Sequence, residues 1–295
     1  MRIFVRYLLC STLNGFSQIL LQSHKGCGLM ILLAIGFHDQ RLLCGSLLGV
    51  LAGTAAAWSC GYGRGDIDTW LYGYNAALLG LLITRLLGFS PPAILLIAAL
   101  AALSSPVQHH LLKQMREHRG LPGFTLPFVL FGWLVMALYG LIEGTDLPSL
   151  PEHSLDGWGA ISGMLRGVAQ VMLLSDPLAG LCLFAALLVA DRRAALWTLC
   201  GSAVGIFVAL TAGGSDMQAL EGLAGYNPAL AALALSQVHR SPLAPAVGIA
   251  LAITGGLVFE QLGIPPLTMP FILTCWTVAL VKVLSQRPAH LLQTR

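Results

Sequence analysis

The chain carries one short element twice, and this repeat limits the folds that it can adopt. Gly73-Tyr74-Asn75 recurs as Gly225-Tyr226-Asn227, 152 residues later. Each copy interrupts an apolar run with a glycine, an aromatic ring and a side-chain amide. Because self-similarity at a fixed spacing is typical of repeat architectures, we expect two related halves.

Other residues recur in the same order, which extends the repeat over most of the chain. The matched pairs include Gln18/Gln170, Ser23/Ser175, Gly28/Gly180, Asp39/Asp191, Ser46/Ser202 and Thr125/Thr268, at spacings between 143 and 156 residues. Drift of this size indicates loops of unequal length between equivalent helices. The sequence therefore predicts a first repeat over residues 1–150 and a second over residues 151–295, joined by a polar linker at 143–156.

The hydrophobic composition indicates where these halves reside. Apolar residues make up 56% of the 295 and charged residues 10%, against about 25% charged in soluble domains; the mean hydropathy is +0.78. Uncharged runs such as 91–106 and 121–142 suit helices that cross hydrocarbon. No patch of basic residues suggests nucleic-acid binding. The composition and the uncharged runs predict an all-α integral membrane protein.

The run before each Gly-Tyr-Asn element is too short to cross a bilayer. The first is Asp66–Tyr72 and the second Asp216–Ala224, whereas about 30 Å of hydrocarbon needs about 20 helical residues. We therefore expect two re-entrant half-helices and five spans in each half, so that the halves have opposite orientations. Ten transmembrane helices in two inverted-topology repeats around a central pore follow, with the basic termini in the cytoplasm.

Three kinds of duplicated polar residue are candidates for solute contact, each with a structural alternative. Gln18 and Gln170 serve a helix-to-helix hydrogen bond or face a shared lumen. The two tyrosines anchor the chain at the membrane interface or form an aromatic wall, and the two threonines cap helices or offer hydroxyls to a solute. Leu78 and Leu230 are singled out only by their position in the repeat.

Motifs of catalysis and cofactor binding are missing from the sequence. It has no nucleophile elbow, zinc-protease motif, P-loop or dinucleotide fingerprint, and its seven cysteines form no C-x-x-C pair. An intramembrane hydrolase using Ser46 or Ser202 is disfavoured, since small-residue motifs serve helix packing. His109, His110 and His118 are expected to be solvated in a basic loop. The sequence thus predicts no enzyme, cofactor or metal.

The duplicated motifs resemble those of the urea transporters over nearly the whole chain. The segments that carry the resemblance are Ala-Gln-Val at 169–171, Asp-Pro-Leu-Ala-Gly at 176–180, the two Gly-Tyr-Asn elements, Phe-Thr-Leu-Pro-Phe at 124–128 and Thr-Met-Pro-Phe at 268–271. The resemblance implies a homotrimer in the cell inner membrane, surrounded by lipid, with a passive urea channel in each protomer. It also implies ten filter residues, namely Gln18, Leu21, Tyr74, Leu78, Thr125, Gln170, Val171, Tyr226, Leu230 and Thr268.

The identity of the solute is the open point. The family often has Asn-Asn-Pro where this chain has Ser23-His24-Lys25 and Ser175-Asp176-Pro177, and phenylalanine where it has Tyr74 and Tyr226. The same fold conducting a urea analogue, a small amide, or ammonia and water is the first alternative. The second is an ion-coupled secondary transporter, because such proteins also use inverted repeats and broken helices.

Overall fold

The computed structural model describes residues 12–118, 121–143, 156–212 and 216–286, and every regular element within them is helical. The helices are α1 (12–19), α2 (Lys25–His38), α3 (Gln40–Ser59), α4 (Arg64–Asp68), α5 (Gly73–Leu87), α6 (Pro91–His118), α7 (Leu126–Glu143), α8 (Gly157–Ala169), α9 (Pro177–Ala190), α10 (Arg192–Thr211), α11 (Asp216–Leu220), α12 (Tyr226–Val238), α13 (Leu243–Gln261) and α14 (Met269–Gln286). A 3₁₀ turn, Gln170–Met172, follows α8.

Helix lengths recur between the two halves of the chain. Helices α2 and α9 each have 14 residues, α3 and α10 have 20, α4 and α11 have five, and α7 and α14 have 18. Helix α6 has 28 residues and α13 has 19. The order of elements in residues 25–143 is therefore repeated in residues 177–286.

Part of the sequence repeat consists of helix caps. Asp39 precedes α3 in an extended conformation and accepts a hydrogen bond from the backbone N–H of Arg41 at 2.7 Å; Asp191 does the same before α10, with Arg193 at 2.9 Å. His24 caps α2 through its ring nitrogen. These side chains satisfy N–H groups that have no partner within the helix.

Helices α5 and α12 form the centre of the molecule. Twelve of the 15 residues of α5 and eleven of the 13 of α12 are buried, so these two helices are enclosed by the others. Glycines allow close packing: a Cβ atom on Gly80 would lie 2.1 Å from the carbonyl oxygen of Gly45, and one on Gly201 would lie 2.5 Å from that of Pro228. Helices α3 and α5, and likewise α10 and α12, therefore pack backbone against backbone.

Several described helices have the length and composition of membrane spans. Four are long and apolar enough, namely α3, α6, α10 and α13, and the pair formed by residues 157–172 and α9, bent by 72°, would make a fifth. The other apolar helices, α2, α5, α7 and α14, fall below that criterion. The predicted number of about ten spans stays a prediction.

Some boundaries differ from those predicted. The half-helix predicted over Asp66–Tyr72 is a helix only at Arg64–Asp68, because the left-handed Trp70 (φ 58°) ends it; Gly222 (φ 84°) follows α11 in the same way. The uncharged run at 91–106 is only the first part of a longer helix, which continues to His118. His109 is therefore helical and half-buried, stacked on Tyr62, rather than solvated in a loop.

Some predicted features lie outside the described residues. They are most of the linker, at 144–155, the basic residues Arg2, Arg6, Arg119, Arg287 and Arg295, and the side chain of His118.

Candidate functional site

A narrow cavity lies where the two halves meet. It is lined by Gln18, Ile19, Leu21, Tyr74, Leu78, Phe124, Thr125, Val171, Leu230, Thr268 and Phe271. Its volume is about 10 Å³, on a measure by which one water molecule needs about 10–15 Å³. The cavity therefore matches a constriction rather than a chamber.

Eight of the ten predicted filter residues line this cavity, and two do not. Gln170 and Tyr226 are absent from the lining, although both are buried, at 6% and 8% exposure. Their counterparts in the first half, Gln18 and Tyr74, do line it. The first half therefore contributes its glutamine and its tyrosine to the lining, and the second half contributes neither.

The two threonines meet at the lining of the cavity. The hydroxyl oxygens of Thr125 and Thr268 are 2.7 Å apart, and both side chains are buried. Each threonine precedes a helix, and its backbone carbonyl accepts the bond from Val129 or Ile272 that starts α7 or α14. N–H groups in the first turns of α7 and α14 are capped by the side chains of Asn75 and Asn227, and the two threonine hydroxyls bond to each other instead.

The asparagine of each Gly-Tyr-Asn element bonds to backbone groups close to one of the two threonines. The side-chain oxygen of Asn75 accepts a hydrogen bond from the N–H of Phe128 at 3.1 Å, and its Nδ2 donates to the carbonyl of Phe124 at 3.3 Å. Asn227 likewise accepts from the N–H of Phe271 at 3.2 Å. Since these N–H groups belong to the first turns of α7 and α14, each asparagine fixes the start of one helix.

Both tyrosines are buried inside the protein, and Tyr74 lines the narrow cavity. The hydroxyl of Tyr74 donates to the carbonyl of Phe124 at 2.7 Å and accepts from Nε2 of Gln108 at 2.9 Å. Its ring lines the narrow cavity. Tyr226 is buried to the same extent, with 8% exposure, so neither side chain is placed to anchor the chain at a membrane surface.

The two glutamines make equivalent bonds. Nε2 of Gln18 donates to the carbonyl of Thr69, and Nε2 of Gln170 donates to that of Glu221 at 3.0 Å. The Oε1 atom of Gln18 is buried, and no donor among the described residues reaches it. Gln18 therefore makes the structural bond and also brings an acceptor to the lining of the cavity.

A wide vestibule adjoins the constriction on the Gln18 side. Its volume is about 710 Å³, and it shares Gln18, Leu21, Tyr74 and Phe124 with the narrow cavity. The remaining walls come mainly from α6, α12 and α14, with Gln22, Gln108, Gln237, His239 and Lys282 among the polar side chains. The vestibule is thus lined mostly by apolar side chains with a few polar ones, and it adjoins an uncharged neck.

Three lining residues were missed in the sequence, although each had a signal. Ile19 is the 152-residue counterpart of Val171, so the repeat that selected Val171 also selects Ile19. Phe124 and Phe271 belong to the motifs that contain Thr125 and Thr268, and their rings meet edge to face, with centroids 4.9 Å apart. These two rings add aromatic surface beside the threonines.

The structure does not support an intramembrane hydrolase that uses Ser46 or Ser202. The hydroxyl of Ser46 donates to the carbonyl of Leu43 at 2.9 Å, and that of Ser202 to Met164 at 2.7 Å. Both serines are fully buried between helices, so they serve packing. In the described part of the chain, no three His, Cys, Asp or Glu side chains are grouped as a metal site would require.

Comparison with known proteins confirms the resemblance drawn from the motifs. A model of the urea transporter family matches residues 9–283. The chain is 26% identical to urea transporter 1 of Ovis aries over 282 aligned residues, which cover 88% of this chain and 73% of the sheep protein. It is also 26% identical to urea transporter 1 of Rattus norvegicus over 236 residues, covering 76% and 61% of the two chains.

Proposed function

The chain belongs to the urea transporter family, and we propose on this basis that it conducts urea passively across a membrane through the narrow cavity between its halves. The observation that carries the proposal is the lining of this cavity. Apolar and aromatic side chains such as Leu78, Leu230 and Tyr74 form its walls, and buried oxygens come from Gln18 and the threonine pair.

This combination suits the chemistry of urea. Urea is flat and neutral, and its N–H groups donate hydrogen bonds while its carbonyl accepts them. Its faces can lie against leucine and tyrosine side chains, and its N–H edge can donate to Oε1 of Gln18 and to the hydroxyls of Thr125 and Thr268. Since a hydroxyl can also donate, the threonines can serve either end of the molecule.

The lining disfavours ion coupling. None of the eleven lining residues is charged, whereas transport driven by protons or sodium requires ionisable groups along the path. An ion would lose more hydration energy in this neck than a few neutral oxygens replace. Facilitated passage of a neutral solute is therefore the function that we propose.

Reciprocal contacts support a two-fold relationship between the halves. The indole N–H of Trp133 donates to the carbonyl of Pro265 at 2.7 Å, and that of Trp276 donates to Pro122 at 2.8 Å. Trp276 is the counterpart of Trp133, and Pro265 that of Pro122. Exchange of the same contact in both directions is the property of a two-fold axis.

The direction of these contacts supports inverted topology. Trp133 lies eight residues after Thr125, whereas its acceptor Pro265 lies three residues before Thr268. Helices α7 and α14 therefore leave the threonine pair in opposite directions. We propose on this ground two inverted repeats, with about ten spans and two re-entrant segments, and with the cavity near the bilayer midplane.

The outer surface supports lipid contact. Large apolar side chains face outward, for example Phe37, Trp58, Leu95, Leu141 and Phe207, each at least 66% exposed. Apolar surface of this kind needs lipid or another protein to cover it. We propose a homotrimer in the cell inner membrane, and the mass of the protein–detergent complex, corrected for detergent, tests the number of protomers.

Stopped-flow light scattering of proteoliposomes tests the function directly. Protein-containing vesicles should equilibrate urea much faster than empty vesicles, at a rate that an imposed proton gradient leaves unchanged. Thiourea should compete with urea for the neck. Flux that requires the gradient would refute passive conduction, and no urea flux above empty vesicles would refute urea as the solute and direct the test to formamide and ammonia.

A further inference from the structure

Gln108 is a buried polar residue of α6, and its side-chain amide contacts the first Gly-Tyr-Asn element. Nε2 donates a hydrogen bond to the hydroxyl of Tyr74 at 2.9 Å, and Oε1 accepts one from Nδ2 of Asn75 at 3.2 Å. Gln108 and Tyr74 also both line the wide vestibule. The bond between them is therefore made at the border of the proposed pathway.

The hydrogen bonds around Tyr74 can run in only one direction. The carbonyl of Phe124 can only accept, so the Tyr74 hydroxyl, 2.7 Å away, donates its single hydrogen to it. The hydroxyl oxygen must then accept from Gln108, which places Nε2 toward Tyr74 and Oε1 toward Asn75. Asn75 donates through Nδ2 to this Oε1 and to the carbonyl of Phe124. Two amides, one hydroxyl and one carbonyl thus form a closed ring of bonds.

This ring of bonds uses the polar atoms of the first wall within the protein. The Tyr74 hydroxyl donates to Phe124 and accepts from Gln108. The carbonyl of Phe124 accepts from both Tyr74 and Asn75, which occupies both of its lone pairs. Tyr74 therefore offers its ring to the narrow cavity, while its hydroxyl is engaged by protein groups.

The second half has a different residue at the place of Gln108. Helices α6 and α13 both start at a Ser-Pro pair, at 90–91 and 241–242. Aligned there, Gln108 corresponds to Phe259, whose side chain has no hydrogen-bond donor. The ring of Phe259 stacks on Trp133, with centroids 6.1 Å apart. The second Gly-Tyr-Asn element therefore lacks the amide that Gln108 supplies to the first.

The two tyrosines differ in their relation to the neck. Tyr74 lines the narrow cavity and Tyr226 does not, although the two are equally buried. Asn75 and Asn227 both bond to the first turn of the next helix, so the asparagines do not account for this difference. The bond to Gln108 is found on the side where the tyrosine ring reaches the neck.

We propose that Gln108 is a positioning residue for the first wall of the neck, a role that rests on the proposed conduction of urea. By engaging the hydroxyl of Tyr74, it holds the ring where the ring narrows the path. A buried network in which every member is satisfied makes its side chains rigid. A rigid wall discriminates between solutes by size, so urea passes more readily than an amide with one more methyl group.

N-methylurea tests this role, because it keeps the carbonyl and most N–H groups of urea and adds one methyl group. Proteoliposomes would carry wild-type protein, Q108M, Y74F, the double variant Y74F/Q108M or Q114M, and stopped-flow light scattering would give the permeability to each solute. Methionine has about the length of glutamine and cannot donate a hydrogen bond. Q114M makes the same change at an exposed position of α6 and is the matched control.

We expect Q108M to raise the permeability to N-methylurea relative to urea by about fivefold, the factor that corresponds to one hydrogen bond. Q114M should keep the wild-type ratio. In the Y74F background there is no hydroxyl for Gln108 to hold, so Y74F/Q108M should have the ratio of Y74F. An unchanged ratio in Q108M would overturn the proposal. The same rise in both backgrounds would also overturn it, because Gln108 would then act through Asn75 or through packing.

The double variant also decides the matter if Q108M conducts neither solute. Flux that returns in Y74F/Q108M would show that the tyrosine hydroxyl without its amide caused the loss, which supports the role of Gln108. A loss that persists in the double variant would overturn it. Urea flux through the wild type tests the proposed function separately: if there is none, that function fails, and the role of Gln108 fails with it.

Discussion

The side chains of Thr125 and Thr268 touch through their hydroxyls at 2.7 Å, although 143 residues separate them in the sequence. The side chains of Asn75 and Asn227 cap the first turns of α7 and α14, so these hydroxyls bond to each other instead. In the proposed pathway, a solute that passes between them replaces this bond with bonds of its own. Each half of the chain therefore contributes one threonine hydroxyl to this contact.

The first prediction concerns the hydroxyl of Thr125. Thr125→Val keeps the shape of the side chain and removes the oxygen, so urea loses one hydrogen bond in the neck. Such a bond contributes about 1 kcal/mol, so we expect urea flux to fall about five- to tenfold in stopped-flow measurements. Thr125→Ser retains the oxygen and should keep most of the flux. Equal loss in both variants would show that the methyl group, rather than the hydroxyl, is required.

The second prediction separates the two glutamines. Gln18→Leu and Gln170→Leu each remove a bond to a carbonyl 51 residues away, so their structural costs are matched. Only Gln18 lines the cavity and carries a buried oxygen without a donor. We therefore expect Gln18→Leu to reduce urea flux severalfold more than Gln170→Leu. Equal losses would mean that both glutamines contact the solute, as the sequence predicts.

The third prediction concerns the reciprocal tryptophan bonds. Trp133→Phe and Trp276→Phe each leave one carbonyl, of Pro265 or Pro122, without its donor, at a cost of about 1 kcal/mol. Apparent Tm in detergent should fall by about 2–4 °C in each variant and by about twice that in the double variant. Trp58→Phe, at an exposed position, should leave Tm unchanged. A Tm equal to wild type in both inner variants would contradict the role of these bonds.

The fourth prediction concerns the glycine contact between α3 and α5. A Cβ atom on Gly80 would meet the carbonyl oxygen of Gly45 at 2.1 Å, so Gly80→Ala must push the helices apart, at a cost of about 3 kcal/mol. Gly256→Ala introduces the same methyl group into α13, where no atom lies within 4 Å. Size-exclusion chromatography should show lost or aggregated protein for the first variant and a single wild-type peak for the second.

The repeat in the sequence predicted several residues that come together in the fold, because equivalent residues of the two halves line one cavity. Pairs such as Thr125 and Thr268, or Leu78 and Leu230, lie around one cavity, and their contact with a solute stays a prediction. The repeat could not show where equivalent residues of the two halves are placed differently. Gln170 is equivalent to Gln18 in sequence, yet it lies outside the cavity lining.

Other features had no signal in the sequence because they depend on three-dimensional placement. Nothing local shows that Trp133 will donate to Pro265, 132 residues away, or that Arg85 will bind Leu173. Hydrophobicity also located helix ends poorly. Helix α6 continues past Pro106 because its polar end packs on the protein, with Gln108 bonded to Tyr74.

The crossed tryptophan bonds bear on the kinetics of transport. A carrier that alternates between inward-open and outward-open states must shift one half against the other, and here such a shift would break both bonds at once. Cooling such a carrier slows it steeply, since each cycle crosses a conformational barrier. A pore whose halves stay locked together has no such step, so its urea flux should decline on cooling only about as much as the diffusion of urea in water.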